Sequence, residues 1–126
     1  DHAPHPHEDK DCEWASAAFG MLGLETALSI VQATMVDSGR LDWAGVAERM
    51  SIAPAQIGRV ADHGQPIEPG APANLALYDP RQTRTIVAGE LASLSRNTPY
   101  AGMELPGRIM ATFLRGRATV RDGHLV

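Results

Sequence analysis

The chain has 126 residues, 44% of them hydrophobic, which is the length of one ordinary domain and enough apolar material to bury a core in principle. A formal charge of -4, a pI near 5.7 and eleven scattered Lys and Arg argue against a nucleic-acid partner, which needs a clustered cationic face. No run approaches the roughly 18 apolar residues of a membrane span, no secretion signal opens the chain, and the lone Cys12 makes no internal disulfide, so a reducing compartment, the cytoplasm, is predicted.

The opening stretch, "DHAPHPHEDKDC", is crowded with histidines and acids. Asp1, His5 and His7 are the ligand types that suit zinc, which takes about four N, O or S donors near 2 Å. Spacing alone nevertheless favours an exposed polar loop, and Cys12 has no second cysteine with which to build a zinc ribbon. In "AFGMLGLETAL", small residues precede a helix, and backbone N–H groups at such an entrance can meet anionic or carbonyl groups of a ligand. The bland reading, that Gly20 and Gly23 only make the turn, is preferred on spacing alone.

Leu24, Leu28, Val31 and Met35 recur at three and four residues, predicting a helix over 23–36 with one buried stripe, widened by Ala27, Ile30 and Val36 and stopped at Gly39. A second helix is predicted over 42–50 with Asp42 as its N-cap, and a third over 51–61 with Ser51 as cap and Pro54 in its first turn. Gly64, Pro66, Pro69, Gly70 and Pro72 then forbid long helices and suggest a boundary. Beyond it, strands are predicted over 73–79, ended by Pro80, and over 83–89. An irregular covering loop follows over 90–107, then two strands over 108–126, the second broken by a tight Asp122-Gly123 turn. Such short strands make at most an edge or half-sandwich, which needs a second layer.

"DHAPHPHEDK" resembles, at its defining positions, the signature of bacterial-type dihydroorotases: Asp, any residue, Ala-Pro-His, four residues, Lys. "GMLGLETAL", "PANLALYDP", "NTPYAGMELPG" and "LRGRATVRDG" resemble later blocks of that family in order, so the likeness runs along essentially the whole chain. The resemblance implies an α/β fold: the C-terminal section of an amidohydrolase (β/α)8 TIM barrel plus part of a small β-sandwich domain. Residues 1–60 would hold the end of barrel strand 8 and the following helices, and residues 61–126 the C-terminal strands of the small composite β domain.

The implied activity is the reversible cyclisation of N-carbamoyl-L-aspartate to (S)-dihydroorotate in de novo pyrimidine (UMP) biosynthesis, with one or two zinc ions. Asp1 would be metal ligand and catalytic proton shuttle, His5 would hold the substrate carboxylate, and the backbone of Phe19 and Gly20 would face the pyrimidine ring edge. His7 and Cys12 match no family role. The other metal ligands have no counterpart in this chain, and position 1 is not Met, so the expected partner is the N-terminal section of the same enzyme. The family also implies a homodimer and, in some bacteria, association with aspartate transcarbamoylase. Three alternatives stand beside this: another cyclic amidohydrolase of the hydantoinase or allantoinase kind, which His5 disfavours; a catalytically silent dihydroorotase-like subunit; and a His-rich metal-sequestering peptide dependent on His7.

Overall fold

The computed structural model describes residues 2–126. The first half is helical: α1 (His7–Lys10), a 3₁₀ turn (Trp14–Ser16), α2 (Ala27–Val31) running into a π-helical segment (Gln32–Val36), and α3 (Trp43–Ala47) running through a second π segment (Glu48–Ile52) into α4 (Ala53–Gly58). The second half is a four-stranded sheet of β1 (Leu75–Thr85), β2 (Glu104–Leu114), β3 (Arg117–Arg121) and β4 (His124–Leu125), in that order and antiparallel throughout, with a 3₁₀ turn (Ala88–Glu90) between β1 and β2.

The helix predicted from position 23 begins at Ala27, after a turn whose Gly23 and Leu24 N–H groups face His2 Nδ1 at 3.2 and 3.5 Å. Of the predicted apolar stripe, Leu28, Val31 and Met35 are half-buried and Ile30 packs on the core, but the helix's most deeply buried positions are polar. Thr26, Ser29 and Gln32, at spacings of three, are 3%, 5% and 5% exposed, whereas Leu24 is 73% exposed. The cause lies across the interface. Tyr78 of β1 donates its hydroxyl proton to Gln32 Oε1 at 2.6 Å, and the Gln32 amide donates to the Pro80 carbonyl at 3.0 Å, so the sheet offers this face polar partners that an apolar stripe would leave unsatisfied. Gly39 ends the run as predicted: it takes φ of 73°, its N–H bonds to Val36 O and the Arg40 N–H bonds to Met35 O, a Schellman closure.

The two helices predicted over 42–50 and 51–61 form one continuous run. Asp42 caps its start, its Oδ1 accepting from the Gly45 N–H at 2.8 Å. Ser51 sits inside the run because Pro54 deforms the helix without stopping it: lacking an N–H and crowding the carbonyl four residues back, it leaves the preceding turn widened to π geometry. Val46 is buried, and Trp43 meets the Tyr78 ring with centroids 5.5 Å apart, tying α3 to β1.

In the sheet, Pro80 does not end a strand. β1 passes through it, with Asp79 opposite Arg108 and Thr83 opposite Pro106, so residues 80–82 bulge out facing Gly107 alone and the proline's missing donor disturbs no regular ladder position. β2 accordingly starts at Glu104, inside the stretch predicted as loop. Gly107 has φ of 78°, and a Cβ there would fall onto the Tyr78 hydroxyl. Both hairpin turns, Arg115-Gly116 and Asp122-Gly123, have positive φ at both central residues, which matches the strand twist; only the second was predicted.

Leu22, Ile86, Leu91 and Leu105 form the buried core, with Ile30 and Tyr100 packed against it. It lies where the loops meet the inner ends of β1 and β2. Among the described residues the strands form one sheet without a second, and large apolar side chains such as Trp14 (95%), Phe19 (95%) and Leu94 (98%) stand in the open.

Candidate active site

The residues singled out in the opening motif converge with the segment that leads to α2. Residues 2–5 run beside residues 19–23: the Ala3 N–H donates to Met21 O at 2.8 Å, and a Cβ on Gly20 would collide with that of Ala3. Gly20 is therefore required by close approach as well as by its φ of 97°. His5 Nε2 lies 2.8 Å from the Phe19 carbonyl oxygen and must donate to it, since a carbonyl can only accept. His5, Phe19 and Gly20 thus come together in one place. Asp1 lies outside the described residues.

Two residues that were given no role hold this arrangement. Lys10 donates from Nζ to the carbonyls of Ala18 at 2.7 Å and Gly20 at 3.0 Å, so with His5 it occupies three successive carbonyls of the 18–20 loop. It is the closing Lys of the opening motif, and that spacing was the available signal. Asn97 donates from Nδ2 to Ala3 O at 2.8 Å, accepts on Oδ1 from the His5 N–H at 3.3 Å, and accepts on its own carbonyl from the Leu22 N–H at 3.2 Å. Its loop is anchored again where the Glu25 carboxylate accepts from the Ala92 N–H at 3.0 and 3.2 Å.

The remaining opening residues are used differently. His7 faces Asp11 at 3.8 Å on the surface, and exposed Cys12 points its thiol at Asp9 O at 3.6 Å. Among the described residues, no three His, Cys, Asp or Glu side chains gather into a metal site. A zinc ion would therefore need ligands beyond those that the described residues bring together. Among the described residues no helix is long and apolar enough to cross a membrane.

No family model matches the chain. Over 125 residues it is 64% identical to the dihydroorotase of Streptomyces coelicolor, covering 99% of this chain and 29% of that protein. The dihydroorotase of Leifsonia xyli is 60% identical over 123 residues, with 98% and 28% covered, and that of Mycobacterium tuberculosis 51% over 125, with 99% and 29%. The chain spans under a third of the length of these relatives. Among solved structures, the L-hydantoinase (dihydropyrimidinase) from Arthrobacter aurescens superimposes with a TM-score of 0.87 at 31% identity, over 99% of this chain and 28% of that one. A D-hydantoinase (dihydropyrimidinase) from a Thermus species gives 0.86 at 28% identity, over 100% and 28%. From the opening motif to the last hairpin, the chain is thus similar to one segment of these dihydroorotases and shares its fold with the corresponding segment of hydantoinases.

Proposed function

We propose that this chain is the C-terminal portion of a zinc-dependent dihydroorotase, which interconverts N-carbamoyl-L-aspartate and (S)-dihydroorotate in pyrimidine biosynthesis. Residues 1–60 would close the barrel and residues 61–126 would add strands to a small composite β domain. The observation that carries the reading is the 2.8 Å contact of His5 with the Phe19 carbonyl, because it unites the two segments that a carboxylate-bearing ring would have to touch at once.

With Nε2–H committed to Phe19 O, the His5 ring can donate from its other nitrogen only as an imidazolium, which supplies both a donor and a charge to a substrate carboxylate. An oriented anion fixes the ring of the substrate and so saves entropy in the reaction. The Phe19 carbonyl has a second lone pair and can accept from a ring N–H of the substrate while keeping His5. Gly20 leaves that edge free of side-chain bulk. Zinc would be held by Asp1 with residues outside this chain, and would supply a polarised carbonyl and an activated water when bound. Asp1, a carboxylate, is suited to carry a proton between that water and the ring nitrogen.

The hydantoinase reading has a specific support, the superposition on hydantoinases. Its weaker identity, 31% or less against 64%, and the presence of His5 favour dihydroorotate. The test is an assay of the complete polypeptide that carries this segment, with dihydroorotate, hydantoin and dihydrouracil offered separately. Preferential opening of dihydroorotate supports the proposal. Turnover of hydantoin or dihydrouracil with none of dihydroorotate would overturn it.

A further inference from the structure

We infer that Asn97 is a positioning residue for the substrate-carboxylate site, its carboxamide gripping the backbone on both sides of Pro4 and so fixing where His5 stands. This rests on the reading of His5 above.

The geometry is that of one rung of a β ladder supplied by a side chain. The Asn97 amide gives a donor to Ala3 O at 2.8 Å and an acceptor to the His5 N–H at 3.3 Å. Pro4 between them has no N–H, so the hold rests on the groups that flank it. Only a carboxamide carries both functions on one short, planar group. Aspartate would keep the acceptor and lose the donor, and alanine would lose both. The grip is firm because Asn97 is itself held from several sides. Its carbonyl takes the Leu22 N–H, Leu91 and Tyr100 seat its loop on the core, and Glu25 fixes Ala92. Among the described residues the His5 ring has one hydrogen-bond partner, the Phe19 carbonyl, so its direction follows from where its backbone and that carbonyl are placed. A residue 92 positions away in sequence therefore sets the pose of the group that would meet the carboxylate.

The experiment uses the complete enzyme and four proteins: wild type, Asn97→Ala, His5→Ala and the double variant. Asn97→Ala is expected to raise KM for dihydroorotate about tenfold to hundredfold, since small misplacement of a binding group is costly, with kcat changed far less. Inhibition by dihydrouracil, which has the ring and lacks the carboxylate, is expected to stay within about twofold of wild type. The double variant is expected to be no worse than His5→Ala alone, because Asn97 acts through His5. Additive losses, or equal losses toward dihydrouracil, would show a general structural role and overturn the inference, as would an unchanged KM. Should Asn97→Ala not fold, Asn97→Asp keeps the side-chain shape and reads the same split through loss of the Ala3 bond. A wild type inert toward dihydroorotate overturns the reading of His5 and the inference with it, whereas an active wild type matched by its Asn97→Ala variant sinks the inference alone.

Discussion

The sheet and the site are held by different kinds of information. β2, β3 and β4 meet through turns of two residues, so Leu114 pairs with Arg117 and Arg121 with His124, and apart from one shift between Thr112 and Phe113 each rung is a neighbour of the last. In the site, Asn97 reaches Ala3 across 94 positions, and Lys10 and His5 reach a loop whose Phe19 ring is 95% exposed. The first region is stiff through regular pairing and the second through single hydrogen bonds at chosen atoms. Damage to the sheet should therefore appear as lost stability, and damage to the site as lost function with the fold retained.

The sharpest break is Gly107→Ala. It forces a left-handed residue and a side chain onto the Tyr78 hydroxyl, so a loss of about 3 kcal/mol or more is expected. Thermal unfolding of the complete polypeptide measures it. Tyr78→Phe should follow at about 2 kcal/mol, since Gln32 Oε1 is left buried without its donor. Tyr78 also carries a pH signature. Burial raises its pKa, with a hydrogen bond to Ser29 working the other way, so the stability it contributes is fully present below about pH 10 and is lost as pH rises through the raised value. An alkaline unfolding series that shows no difference between wild type and Tyr78→Phe would contradict this.

Lys10→Met belongs to the other side of the contrast. Its bond to Gly20 is exposed and its bond to Ala18 part-buried, together worth about 1 kcal/mol to stability, yet they fix two carbonyls of the 18–20 loop, so under the proposed function dihydroorotate turnover by the complete polypeptide should fall while the melting temperature scarcely moves. A melting loss as large as that of Tyr78→Phe would erase the distinction. The smallest effects lie in the hairpins and at Asp79. Arg115→Asn, better suited to φ of 50°, should stabilise by about 0.5 kcal/mol in equilibrium denaturation. The Asp79 carboxyl is held below its usual range by the Arg81 backbone N–H, then by the Arg81 and Gln82 side chains. Its contribution is present above the ordinary carboxylate pKa and lost as pH falls through the lowered one, so Asp79→Asn should flatten the acid limb slightly.

Local chemistry was legible in the sequence where the responsible residues are neighbours. The Asp42 cap, the Gly39 stop and the Asp122-Gly123 turn each depend on a few adjacent positions, and each is present. The deepest positions of α2 are polar and invisible to apolar spacing, which cannot reveal that Tyr78 and Pro80, more than 40 positions on, present a hydroxyl and a carbonyl to Gln32. Pro80 misled for a related reason: it ends a strand unless the partner supplies a glycine to face the bulge, and Gly107 does. For the site, the likeness of the opening motif led to His5, Phe19 and Gly20, and the structure brings the three together. Asn97 stayed hidden, since nothing in "NTPY" says which distant backbone its amide will hold.

The distance from Ala3 to Asn97 also has a temporal meaning. At about 5–20 residues added per second, the ribosome delivers the histidine segment roughly 5–20 s before its amide partner. During that interval the nearby ties, Ala3 to Met21 and Lys10 to Ala18, can already form, while His5 still lacks its backbone grip. A product broken off ahead of residue 97 would carry the whole opening motif and yet be unable to aim it, so a later part of the segment certifies the first.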